Sequence, residues 1–233
     1  HLDEDTLIRI GDEKPIAVCL STTMILYPDS LKKQLNAIKK HIPQAYIILG
    51  GIFVYKSFLY SKESNPFIKL DEELLLFQCK SNEIQANAII THPHGKAELL
   101  SILNELKHGR KPELSIIPNT AWPLKDGTFG FSKSYNRIID YNKDITALVY
   151  IDDIPPQIPI RTSVGCPFRC RFCDFYQLFP KIFLRSVDSV KEELHLIKKR
   201  IGNSNAIVHV TDDNVFLNQK RIEEVCKAFI ETG

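Results

Sequence analysis

The sequence predicts an α/β protein built from two β/α stretches, and three observations carry that prediction. Short apolar runs of strand length alternate with longer segments in which apolar residues recur every three or four positions. This is the pattern of parallel strands covered by helices. Between Lys111 and Gln157 the alternation stops. Prolines stand at 112, 118, 123, 155 and 156, and Asp126-Gly127 separates two short apolar stretches, which reads as a hairpin and then a linker. At Ile158 the alternation begins again. The expected division is therefore 1–110, a hairpin and linker over 111–157, and a second β/α region over 158–233.

Pro15 to Leu20 is nearly all apolar, the mark of a buried parallel strand. Leu31, Leu35, Ile38 and Ile42 follow at helical spacing, with Asp29 or Ser30 available as a cap. Ala45 to Leu49 reads as the next strand and runs into Gly50-Gly51. A helix-like segment from Asp71 to Cys79 precedes a strand at Ala86 to Ile90. Lys96 to Lys107 is then a helix with Leu99, Leu100, Leu103 and Leu106 on one stripe, and Gly109 is placed to end it. In the second region, Ile158 to Val164 is a strand. Val187, Val190, Leu194, Ile197 and Ile201 mark a helix capped by Ser186. Ala206 to Val210 is a strand, and Ile222, Val225, Cys226, Phe229 and Ile230 mark a second helix capped by Asn218.

Composition narrows the class. The chain has 233 residues, 44% hydrophobic and 25% charged, enough for a sizeable core without staples. A formal charge of +2 argues neither for nucleic acid nor for an anionic membrane as partner. No apolar run is long enough to span a bilayer and no signal sequence is visible, so a cytoplasmic, reducing compartment is expected. The chain opens on His1 and closes on Glu231-Thr232-Gly233 just after a helix, and it is expected to be an internal fragment of a longer protein.

The chemistry is concentrated in one loop. Cys166, Cys170 and Cys173 lie in a CxxxCxxC spacing inside eight residues, directly after the strand at 158–164. Clustered thiolates hold soft metal centres, because sulfur matches iron and zinc better than oxygen does. Three ligands are one short of a closed tetrahedral zinc site or a fully ligated four-iron cluster, so one metal position would stay open. Arg169 and Arg171 alternate with the thiols, which suits a loop better than a core strand. A zinc knuckle is the rival reading. It needs a fourth ligand, and the downstream His195 and His209 stand at neither usual zinc spacing. A disulfide framework is not expected, since Cys19, Cys79 and Cys226 are scattered.

The loop resembles the CxxxCx(aromatic)C signature of the radical S-adenosylmethionine (radical SAM) superfamily, with Phe172 in the aromatic position. The resemblance implies the opening β/α units of a partial TIM-type barrel, in which reactive groups collect at the C-terminal ends of the strands. It implies a 4Fe–4S cluster on Cys166, Cys170 and Cys173, S-adenosylmethionine on the fourth iron, and Phe172 near the adenine. Reductive cleavage of that cofactor to methionine and a 5′-deoxyadenosyl radical would follow, the hard chemistry being the cofactor's. Thr211-Asp212-Asp213-Asn214 ends the next strand. It is similar to the Asp-Asp pattern of cobalamin-type members, which makes Asp212 a candidate contact for a cationic group. The other reading of the same residues is a turn capped by Asp213 and Asn214.

The first region resembles the Rossmann-like (flavodoxin-type) cobalamin-binding domain found in some of these proteins. That domain has a Ser-x-Leu after one strand and a Gly-Gly after the next. Here Ser21-Thr22-Thr23 and Gly50-Gly51 take those places, with 26 residues between Thr23 and Gly50, and Thr23 replaces the leucine. Ser21, Gly50 and Gly51 are thus candidate corrinoid contacts. Thr91-His92-Pro93-His94-Gly95-Lys96 stands where such domains show Gly-x-Gly-Glu. Gly95 fits and Lys96 does not, and His92 and His94 read as a surface turn or as metal ligands. Three functions follow: a cobalamin-associated radical SAM enzyme (methyl transfer or C–C bond or ring formation), a radical SAM enzyme with a corrinoid-free scaffold domain, or a non-catalytic zinc-binding module. The enzyme readings imply a small-molecule or peptide substrate and an electron donor such as flavodoxin or ferredoxin.

Overall fold

The computed structural model describes residues 3–62, 75–135, 139–143, 154–173, 175, 179, 181–202, 205–216 and 218–233. It divides the chain into two compact units, His1–Asn136 and Arg137–Gly233.

The first unit is organised by strand β2 (Tyr46–Gly50), whose neighbouring side chains point to opposite faces of the sheet. Ile47 and Leu49 enter one apolar cluster and Ile48 enters another. Both faces are therefore covered, as a run of consecutive apolar residues requires. β2 pairs in parallel with β1 (Ala17–Ser21) and β3 (Ala88–Ile90). The hairpin is found at β4 (Thr120–Pro123) and β5 (Phe129–Phe131), and it joins the same sheet antiparallel to β3, in the order β1-β2-β3-β4-β5. Asp126 accepts the backbone N–H and hydroxyl of Thr128 at the hairpin tip, and Gly127 takes a positive φ of 87°.

Helix α1 (Glu4–Asp12) is capped by Asp3, which accepts the Thr6 N–H, and it buries Leu7; no periodicity had marked it. Helix α2 (Pro28–His41) buries Leu31, Leu35 and Ile38, and Ile42 just beyond it is also fully buried; each such side chain contributes roughly 1.5–3 kcal/mol. Its cap differs from expectation. Neither Asp29 nor Ser30 caps it; Tyr27 holds the N-cap position and Pro28 the first helical one, where a fixed φ and a missing N–H cost nothing. Helix α3 (Ile52–Lys62) follows Gly51, and α4 (Lys96–Lys107) ends before Gly109, whose φ is 70°. Of the helix expected over Asp71–Cys79, residues 71–74 lie outside the described residues, and Leu76–Gln78 form a single 3₁₀ turn. β1 also departs from expectation: its partner is β2 alone among the described strands, and Cys19 is exposed.

In the second unit, the strand expected over 158–164 is two short strands. β6 (Gln157–Ile160) pairs in parallel with β9 (Ile207–Val210), and β7 (Ser163–Val164) pairs antiparallel with β8 (Phe183–Leu184). The break falls at Arg161-Thr162, because the Thr162 N–H turns to a side chain, Asp212, instead of a ladder partner. Ile158 and Ile160 pack against Val190, Leu194 and Ile197 of helix α5 (Val187–Ile201) and Ala228 of helix α6 (Gln219–Thr232). Both expected caps are present: Ser186 accepts the Ser189 N–H and Asn218 the Arg221 N–H. No described helix is long and apolar enough to cross a membrane.

Gly51 has a φ of 105°, and a Cβ there would lie 2.8 Å from the Thr22 nitrogen. Gly51→Ala is expected to lower the unfolding free energy by about 2 kcal/mol or more, read as a reduced urea midpoint.

Candidate functional site

The cysteine loop leaves β7 through Gly165, whose φ is 93° and whose Cβ position would fall 2.4 Å from the Lys181 carbonyl oxygen. Only glycine fits that approach. Cys166 and Cys173 are half-buried, Cys170 is exposed, and all three are free thiols. The Cys173 N–H donates to the Cys170 carbonyl at 3.0 Å, closing the CxxC turn. Phe172 is 92% exposed, so it does not anchor the loop against a core.

The end of β9 grips the start of this loop at successive levels. Asp212 accepts the Thr162 N–H at 2.6 Å, the Thr162 hydroxyl at 2.5 Å and the Ser163 hydroxyl at 2.7 Å. Asp213 accepts the Gly165 N–H at 2.7 Å. Asn214 directs its amide nitrogen to the Cys166 sulfur at 3.9 Å. Partial burial pushes the Asp213 carboxyl above its usual range, against the opposing pull of the Gly165 N–H and Arg161. The three donors on Asp212 all come from the chain itself, so this carboxylate holds the loop's base.

Two arginines complete the support from below. Arg185 is buried and pairs with the buried Glu193 of α5. It also donates to the Arg161 carbonyl at 2.7 Å and to the Ser189 hydroxyl at 2.8 Å. Arg221 of α6 donates to the carbonyls of Thr162 at 3.2 Å and Arg185 at 2.6 Å, and burial lowers its affinity for a proton. Sequence reasoning passed over Glu193 and Arg221. Glu193 left a signal, since it falls within the Val190–Leu194–Ile197 stripe, where a carboxylate is buried only with a partner. Arg221 left none.

These residues suit an iron–sulfur cluster. Among the described residues, no three His, Cys, Asp or Glu side chains gather as a site for one metal ion. A 4Fe–4S cluster makes a different demand, because each thiolate binds its own iron. Three free thiols spread along one open loop, with an amide at the sulfur of the first, are a donor set of that kind. Among the described residues, neither His195 nor His209 joins a group of three such side chains that could hold one metal ion.

In the first unit, the candidate residues meet at the C-terminal ends of β1 and β2. The Thr22 N–H and hydroxyl both donate to the Gly50 carbonyl, at 2.7 and 2.8 Å. The Ser21 and Thr23 hydroxyls bond each other at 3.0 Å. Ser21, Gly50, Gly51, His92 and Gly95 line a cleft of about 220 Å³ floored by Leu49 and Ile90. Gly50 opens toward the cleft, whereas Gly51 is held by backbone contact with Thr22 and Thr23. His92 and His94 form a turn in which the His94 N–H donates to His92 Nδ1 at 3.1 Å. That bond is internal to the turn and ties the two residues together.

Residues 160–232 match the model of the radical SAM superfamily. Over 98% of its length the chain has the fold of OxsB, a cobalamin-dependent S-adenosylmethionine radical enzyme. Its selenomethionine-labelled apo structure superposes with a TM-score of 0.61 at 17% identity, and its structure with aqua-cobalamin and S-adenosylmethionine bound with a TM-score of 0.59. A stretch of 77 residues is 30% identical to the bacteriochlorophyllide d C-12(1)-methyltransferase of Chlorobaculum tepidum. The chain spans 30% of the apo OxsB chain and 17% of the methyltransferase.

Removing one partner of the Arg185–Glu193 pair strands a buried charge. Arg185→Met is expected to cost about 3–5 kcal/mol in thermal or denaturant unfolding, and the double variant R185M/E193L to recover a large part of that loss.

Proposed function

We propose that the protein is a radical SAM enzyme that uses a 4Fe–4S cluster on Cys166, Cys170 and Cys173. The observation that carries the reading is the three-thiol loop, placed after a strand and gripped by the end of the next parallel strand. A cluster held by those three thiolates would supply the one electron needed to cleave S-adenosylmethionine reductively to methionine and a 5′-deoxyadenosyl radical. The residues of this chain hold and orient. Gly165 turns the chain out of the strand, Asp212 and Arg221 fasten Thr162, and the exposed ring of Phe172 is free to stack on an adenine. The electron would come from a carrier such as flavodoxin or ferredoxin, in the cytoplasm, and the substrate would be a small molecule or peptide.

The first unit supports a cobalamin association, with Ser21, Gly50 and His92 around a cleft at the strand ends. Methyl transfer is the reaction class that the Chlorobaculum relative's name states, and C–C bond or ring formation is the other outcome open to such an enzyme. One observation favours the corrinoid-free scaffold instead: backbone packing alone accounts for Gly51. A red protein whose corrinoid spectrum survives gel filtration would separate the two.

Iron, acid-labile sulfide and zinc measured after anaerobic reconstitution test the main reading. About four irons and four sulfides per chain are expected, and both should be lost when Cys166, Cys170 and Cys173 are all changed to Ala. One zinc without sulfide would establish the metal-stabilised binding module in its place.

A further inference from the structure

We propose that Asn214 is a positioning residue for the cluster, its amide donating to the Cys166 sulfur and setting the cluster's reduction potential. The inference rests on the cluster reading above and goes beyond it, because holding a cluster does not by itself require a donor at a particular thiolate.

The orientation of the amide is fixed from its other end. Asn214 Oδ1 accepts the Phe216 N–H at 3.0 Å, so its NH₂ group faces Cys166. The N···S separation of 3.9 Å is a long contact onto a large, polarisable atom. Its neighbours leave it little freedom: Asp213 holds the Gly165 N–H one residue before Cys166, and Asp212 holds Thr162 and Ser163. Three consecutive residues at the end of β9 thus engage the loop in order, and the last contact reaches sulfur itself.

The consequence is electrostatic. Taking up one electron from a carrier protein raises the negative charge on the ligand sulfurs. An N–H dipole aimed at one of them therefore stabilises the reduced form more than the oxidised form and raises the potential, as hydrogen bonds to cluster sulfurs do. Asn214 contacts the sulfur of Cys166 and the Phe216 N–H. Its effect passes through Cys166.

The test is a potentiometric titration, followed by electron paramagnetic resonance, on the reconstituted full-length protein. Wild type, Asn214→Asp and Asn214→Leu are compared. Asn214→Asp preserves volume and the acceptor for Phe216 but replaces the donor with a carboxylate; Asn214→Leu removes both. Iron and sulfide content is measured first on each. With content unchanged, the midpoint is expected to shift to lower potential in both variants, further in Asp than in Leu. A wild-type midpoint in Asn214→Asp with its cluster intact would overturn the inference and leave the cluster reading standing. Loss of the cluster from Asn214→Asp, with wild-type circular dichroism, would overturn the potential-setting role as well. A wild type without iron and sulfide would sink the cluster reading itself, and that failure is seen before any potential is measured.

Discussion

The second unit depends on one carboxylate. Asp212 stands where β9 ends, and its two oxygens collect a backbone N–H and two hydroxyls from Thr162 and Ser163. Charge-assisted bonds of this kind are short and strong, and here they act between residues fifty positions apart in sequence. They convert the parallel register of β6 and β9 into a position for the cysteine loop. The same event ends β6: once Thr162 gives its N–H to a side chain, the ladder cannot continue, and the chain is redirected into β7. Strand break and loop placement have one cause.

The polar layer beneath this contact is costly, and its costs are offset internally. Thr162 has its N–H on Asp212 and its carbonyl on the Arg185 N–H and the Arg221 guanidinium. Arg185 in turn is matched by Glu193, Ser189 and the Arg161 carbonyl. A buried guanidinium without such partners would be strongly destabilising, and with them it is close to neutral. What the network supplies is a single geometry for the loop's first residues, which a smooth apolar core would not dictate.

How much of this could be read in the sequence differs by kind of residue. The helices at 187–201 and 219–232 were legible because their apolar stripes are narrow and each begins with a side-chain cap, Ser186 or Asn218. Helix α3 was not, since Ile52 to Tyr60 is apolar almost all round and offers no stripe to contrast with a polar face. The three cysteines stand out by spacing alone as candidate ligands. Asp212 was singled out, but for a ligand contact. Its engagement with Thr162 and Ser163 depends on which residues the parallel register brings opposite, and that is a property of the fold, not of any local window. Arg221 was invisible for the same reason, being an ordinary first-turn residue until α6 packs against the loop's base.

The two units use a common device with different chemistry. In each, a glycine at a strand end takes a positive φ so that the backbone of a neighbouring segment can come close: Gly51 beside Thr22 and Thr23, Gly165 beside the Lys181 carbonyl. In the first unit the contacts that follow are hydroxyl to carbonyl and hydroxyl to hydroxyl, and they leave a modest, largely apolar cleft with Ser21 and His92 at its edge. In the second they are carboxylates gripping N–H groups and hydroxyls, and they fix the base of a loop on which Cys170 is exposed and Cys166 and Cys173 are half-buried. Fixed thiols suit a metal centre, whose ligands must keep their places while its charge changes. The two β/α scaffolds thus differ in the polar groups at their strand ends, hydroxyls and carbonyls in the first and carboxylates in the second.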